Sequence, residues 1–276
     1  MIRAYNTLDK IDEIFDDGDF NINKWEKYIN SFLNNKAHMF KDDLEQYVIS
    51  GQYSYEEDFL PLLNNVYHHP KLDIVIDNFQ KITERLDDKV KQHFKEMDVD
   101  IYLYLGLLNG AGWATIIDNR HVILLGIEKI LELDWTSIDD MYGLIYHELG
   151  HIYHMVYGNL DLNNDSFIYQ LYYEGIAMHF EQLLKEDPNY FHQDKNGYLS
   201  FCEDCFDMIK TDFKNDLADM DIYNQRYFGD WTNYYGYGDV GYYLGAKFVD
   251  HLSFRYDFEQ LINLDHETIQ KAFEQF

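Results

Sequence analysis

Residues 145–154 read IYHELGHIYH and hold three histidines and one glutamate within eight positions. On a helix, His147 and His151 are four residues apart, so their imidazoles lie on one face about one turn from each other. That spacing lets two ring nitrogens converge on a single tetrahedral metal ion. Glu148 falls on a stripe with Met141, Leu144, Ile152 and Met155. A carboxylate among apolar side chains costs several kcal/mol unless it has a partner or a task. Beside a metal-activated water, its task would be that of a general base. Given the chain's histidine and glutamate content, the pattern HExxH arises by chance about 0.03 times in a sequence of this composition.

A third ligand is needed to complete such a centre, and the sequence offers Glu174 in SFIYQLYYEGIAMHFEQLLKED. Its neighbours three, four and seven residues away are Phe167, Leu171, Ala177 and Met178, so it too is an acid on an apolar face. Two histidines and a glutamate, with a fourth position left to water, make an open, catalytic type of site. The donor set favours Zn2+ over hard cations. His154 continues the stripe of His147 and His151, but using it as a ligand would displace Glu148, so a non-ligand role is expected.

The helices that must carry these residues announce their ends. Ser137 can cap the first helix, with Asp140 three residues later approximating a capping box, and Gly158 can end it in a left-handed turn. Ser166 can cap the second, and Asp187-Pro188 stops it. Before them, VDIYLYLGLL and GWATIIDNRHVILLGIE are rich in β-branched and aromatic residues and read as two or three strands, with a turn at Asp118-Asn119. Residues 1–97 read as amphipathic helices, LDKIDEIFDD, WEKYINSFL and LDIVIDNFQKITERLDDKVKQHF among them, with Pro61 and Pro70 marking turns. His68 and His69 fall in one such turn, as solvated loop residues. The expected fold is therefore α+β and mostly helical. A helical N-terminal region (1–97) would precede a domain (98–276) made of a small sheet (98–130), the two motif helices (137–157 and 166–186) and C-terminal helices.

HELGH followed by EGIA on a second helix resembles the gluzincin clan of zinc metallopeptidases, and more narrowly the bacterial predicted zinc-dependent proteases with HExxH and a downstream EG[LI]A signature. The resemblance spans roughly residues 98–255, ending with the looser GYYLGAKF segment. It implies a zincin-like, thermolysin-like core in which His147, His151 and Glu174 bind Zn2+. Glu148 would take a proton from the activated water and hand it to the leaving amine. A strand within GWATIID or RHVILLG would form the edge that pairs with an extended peptide. The chain departs from thermolysin-like members, which carry an Asp four residues after the ligand Glu. Here that position is Met178, and Glu181, one turn further, is the candidate substitute. LNGAGWATIID lacks the glutamate with which aminopeptidases of the clan grip a free amine, so exo- and endopeptidase action both stay open.

These enzymes also place a Tyr or His donor where an oxyanion develops. YYGYGDVGYYLGAKFVDHL supplies Tyr242 and Tyr243 in the first turn of a helix that Asp239 can cap; His179 and His251 are weaker candidates. Cys202 and Cys205 form one CxxC without further ligands at suitable spacing, which reads as two thiols a helical turn apart.

Composition narrows the partners. With 22 Lys and Arg against 50 Asp and Glu, the net charge is −28. A chain so acidic is a poor match for nucleic-acid backbones. No window reaches the ~18 apolar residues of a transmembrane helix, so no membrane insertion is expected. The N-terminal stretch lacks the apolar run of a secretory signal, and cysteine is sparse, which points to the cytoplasm. The expectation is a cytoplasmic zinc metallopeptidase acting on peptides or proteins. The rival expectations are a metal-binding regulatory protein without turnover and a non-peptidase zinc amide hydrolase.

Overall fold

The β-branched and aromatic run at 98–126 forms strands in the computed structural model, which describes residues 1–49, 51, 53–161 and 164–276. Strands β4 (Val99–Tyr104), β5 (Gly112–Ile117) and β6 (Arg120–Gly126) are joined by β1 (Ile2–Asn6) in a four-stranded sheet of order β1-β4-β6-β5. β1 and β6 both run parallel to β4, and β5 is antiparallel to β6. GWATIID thus supplies an edge strand, whereas RHVILLG lies inside the sheet. The β5–β6 turn places Asp118 and Asn119 at φ 50° and 62°. Two successive left-handed residues define the type I′ turn, whose twist suits a two-residue hairpin and which Asp and Asn tolerate.

The segment read as wholly helical opens with β1, a 3-10 turn over Leu8–Ile14, and a small hairpin of β2 (Phe15–Asp16) and β3 (Asp19–Phe20). An N-terminal strand of five residues carries little periodicity of its own and is fixed by its pairing with β4, Ile2 to Val99 through Asn6 to Leu103. Helices α1 (Ile22–Asn30), α2 (Ala37–Ile49), α3 (Leu60–Tyr67) and α4 (Leu72–His93) follow, α1 and α4 in segments whose apolar spacing predicts a helix. Pro70 does lie in the turn before α4, but Pro61 sits in the first turn of α3, where its missing N–H costs nothing. His68 is exposed in the same turn as Pro70. Helix α5 (Ile127–Glu132) follows β6 directly.

Next come α6 (Ile138–Tyr157), α7 (Phe167–Lys185), α8 (Tyr198–Asp204), α9 (Phe206–Asp216), α10 (Val240–Ser253), α11 (Phe258–Leu261) and α12 (His266–Gln275). The architecture is α+β and mostly helical, with one small mixed sheet. By compactness the chain divides into Met1–Ile145 and Tyr146–Phe276, with the boundary inside α6 rather than at the 97/98 junction. The pairing of β1 with β4 is what ties the first residues to the sheet. No helix among the described residues is long and apolar enough to cross a membrane.

Both motif helices begin as their sequences predict. The Asp140 amide donates to Ser137 Oγ at 3.1 Å and the Ser137 amide to Asp140 Oδ2 at 3.3 Å, a reciprocal cap. Ser166 Oγ accepts from the Tyr169 amide at 3.3 Å. α7 ends with Glu186 at φ 58°, its amide turned back on the last turn. Gly158 does not adopt the expected left-handed turn. Its amide continues the helical ladder to the His154 carbonyl at 2.9 Å. A Cβ there would meet His154 Cδ2 and the Ile262 carbonyl, each at 2.5 Å, so close approach rather than φ is what calls for glycine.

Candidate metal centre

Within Tyr146–Phe276, two backbone crossings build the site. A Cβ on Gly150 would stand 2.9 Å from Cα of Ala177, so α6 and α7 touch where HELGH meets EGIA. A Cβ on Gly175 would stand 2.3 Å from the Gly245 carbonyl, and one on Gly245 2.5 Å from the Leu171 carbonyl, so α7 and α10 touch beside that crossing. The small residues of both motifs therefore have a packing function. His147 and His151 flank the first crossing, Glu174 immediately precedes the second, and Tyr242 lies one helical turn before Gly245.

The three expected ligands meet. His147 Nε2 and His151 Nε2 are 3.1 Å apart, and each lies 3.2 Å from Glu174 Oε2. A tetrahedral ion with bonds of about 2.0–2.2 Å holds its donors roughly 3.3–3.6 Å apart. The nearly equilateral triangle of two nitrogens and an oxygen fits that requirement to within a few tenths of an ångström, and all three side chains are buried. Its electrostatics call for positive charge. Burial alone would lower the His147 pKa, but the adjacent carboxylates of Glu174 and Glu181 outweigh it and raise the value to about 10. Burial would likewise raise Glu174, yet His151 and His147 hold its carboxyl down at about 2.

Glu148 is buried beside this triangle, within electrostatic reach of His151, His147 and Glu174. Burial raises its pKa, opposed by the nearby His151 and His147. A carboxylate so placed is a stronger base than one in water.

Behind the triangle, Glu181 stands with its Oε2 3.5 Å from His147 Nδ1. It is fully buried and also accepts from His192, through the ring Nδ1 at 2.9 Å and the backbone amide at 3.2 Å. Burial would raise its pKa, but His192 and His147 lower it, so it is an anion at neutral pH. Met178, four residues after Glu174, is buried and takes a weak contact from Gln193 Nε2. His151 is held differently. Its ring stacks on Tyr173 at 4.2 Å and 21°, and its Nδ1 has no hydrogen bond among the described residues.

The two tyrosines of GYYLG part company. The Tyr242 ring lies 5.5 Å from that of His147, and its pKa is raised well above the ordinary value by burial and by Glu174 and Asp239. It is a neutral phenol at the centre. Tyr243 turns the other way, against Phe191 and Phe206, with Lys247 over its ring. His179 packs on Phe258 and His251 lies near Phe276, so neither joins the centre. His154 is fully buried between Tyr172 and Tyr173, with neither ring nitrogen hydrogen-bonded among the described residues, and burial lowers its pKa to about 3. It is not one of the converging donors. Cys202 and Cys205 are free thiols at the end of α8.

His192 is the residue that spacing does not reveal. It lies in an irregular segment after α7, where no periodic rule links it to the motif. Glu181 did leave a signal, because seven residues from Glu174 returns to the same face of α7. Comparison with family models, with curated proteins and with solved structures returned no match.

Proposed function

We propose that the chain is a zinc-dependent peptide hydrolase of gluzincin type with a zincin-like core, working in the cytoplasm. The observation that carries this reading is the buried triangle of His147, His151 and Glu174, with the buried Glu148 beside it. A structural zinc site would enlist four protein ligands, and a purely binding site has no use for a further buried glutamate that is not a ligand. Zinc, when bound, supplies Lewis acidity toward a carbonyl oxygen and lowers the pKa of water.

The chain's own residues account for the remaining steps. Glu148 accepts a proton from the attacking water as the water oxygen bonds to the peptide carbonyl carbon. As the C–N bond breaks, Glu148 delivers that proton to the departing amine, so the acid and amine products balance the water consumed. The neutral Tyr242 phenol donates a hydrogen bond to the oxygen that gains charge. Tyr243, packed away from the centre, takes no part.

Metal analysis of the purified chain tests the reading, with His147→Ala and Glu148→Gln alongside. One equivalent of zinc is expected in the wild type, lost in the first variant and kept in the second. Peptide-library cleavage should be present in the wild type and absent in Glu148→Gln. A wild type that takes up no zinc when loaded under reducing conditions sinks the proposal. A zinc-loaded wild type that cleaves no peptide but hydrolyses small amides moves the reaction to non-peptide substrates.

A further inference from the structure

Among the described residues, the carboxylate behind His147 is held by histidines rather than by an arginine or a lysine. Glu181 is fully buried, and the groups bonded to it belong to histidines. His192 grips it twice: its ring Nδ1 donates to Oε2 at 2.9 Å and its backbone amide donates to Oε1 at 3.2 Å. The same Oε2 faces His147 Nδ1 at 3.5 Å. Because His147 Nε2 belongs to the donor triangle, the proton of its neutral imidazole must sit on Nδ1, the side that Glu181 faces. Oε2 is the acceptor nearest that proton, so its position favours this tautomer and ring plane of His147. We infer that His192 is a positioning residue for the metal ligand His147, acting through Glu181. This inference rests on the metal-site reading above and deepens it.

His147, Glu181 and His192 are also close enough together to be considered as a second metal site. The hydrogen bonds argue against that. Both Glu181 oxygens already accept N–H groups from His192, and His147 would have to give up both ring protons to serve two ions at once. The edges of this group are less regular, 2.9 and 3.5 Å, than the 3.1 and 3.2 Å of the first.

The test is zinc affinity by competition with a chromophoric chelator, measured on the full chain beside the melting temperature of the metal-free protein. His192→Ala should weaken zinc binding by about 10–100-fold, the usual cost of losing an outer-shell partner. Glu181→Ala should weaken it similarly, and the double variant should be no weaker than Glu181→Ala alone, because the two act in series. Amide position supplies a control for mere packing. An asparagine amide occupies about the place of a histidine Nδ1, a glutamine amide about that of Nε2. His192→Asn should therefore bind zinc within a few-fold of wild type and His192→Gln should not, even if His192→Ala fails to fold. Wild-type affinity in His192→Ala or in His192→Gln overturns the inference. So does a second equivalent of zinc that His192→Ala abolishes while the first remains. A wild type that binds no zinc overturns the metal-site reading itself and the inference with it; a wild type that binds one equivalent leaves the variants to decide the inference alone.

Discussion

In residues 1–145 the buried charges close their own accounts. The Asp100 carboxylate takes the Arg3 guanidinium on one oxygen and Arg120 at 3.1 Å on the other. Glu128 accepts the backbone amides of Gly106 and Leu108 at 2.8 and 3.0 Å, and Lys129 meets Glu132 at 2.6 Å. In residues 146–276 the pattern inverts. His147, Glu148, His151, Glu174, Glu181 and His192 are gathered in one neighbourhood and face mainly each other. Among the described residues, every buried side-chain nitrogen or oxygen without a hydrogen bond lies in this second unit, on His147, His151, His154 or Gln193. A polar group buried for stability finds an ordinary partner, because leaving one out costs about 1–3 kcal/mol. On His147 and His151 the atoms left out are the Nδ1 nitrogens, while both Nε2 atoms and Glu174 Oε2 converge on one another. The contrast is between buried charges paired with ordinary partners and a buried cluster whose members face one another.

The largest expected effect that would break the contrast is at Glu148. Glu148→Gln should lower kcat/KM by about 10²–10⁴-fold while zinc content and melting temperature hold. A comparable loss of stability would instead place this glutamate with Asp100 and Glu128, as a structural group.

Next in size is the crossing that lets the cluster assemble. Gly175→Ala puts a Cβ 2.3 Å from the Gly245 carbonyl, and backbone cannot yield as a side-chain tip does. A destabilisation of about 1–3 kcal/mol or more is expected in thermal unfolding, with weakened zinc binding even when the variant folds. Unchanged values in both measurements would remove the packing explanation of the EGIA motif.

Glu128 sharpens the other side. Burial raises its pKa from 4.5 to about 7, opposed by the Gly106 and Leu108 amides. Between those values the unfolded chain releases the proton and the folded chain keeps it, so this group's contribution to stability falls as pH rises through the window and is level above it. Glu128→Gln removes that titration. The stability of wild type relative to the variant should therefore decline by a few kcal/mol from pH 4.5 to 7. Parallel unfolding curves across that range would show that the amide bonds, not burial, govern this carboxylate.

The smallest effect concerns the neighbouring tyrosines. Tyr242→Phe should lower kcat by about 10–100-fold with little change in KM. Tyr243→Phe should alter neither by more than about two-fold. Equal losses in the two variants would mean that the phenol acts through the packing of α10 rather than on the substrate.

Much of this was legible in the one-dimensional chain, because much of it obeys local rules. The i,i+4 pair His147 and His151, the reciprocal Ser137–Asp140 cap, the Ser166 cap and the Asp118–Asn119 turn each depend on residues within one turn of one another. Glu174 was legible because a carboxylate on an apolar face is anomalous wherever the helix docks. The sequence by itself thus determined the two motif helices, the β5–β6 hairpin and the identity of the converging donors. Tertiary structure alone decided what depends on separations of tens of residues. It drew Ile2–Asn6 into the sheet beside β4, brought α10 against α7 through Gly245 and Gly175, and turned Tyr242 rather than Tyr243 toward His147. It also delivered His192 from an irregular segment to the back of Glu181. Periodicity fixes which face of a helix a residue occupies; only packing fixes what that face meets.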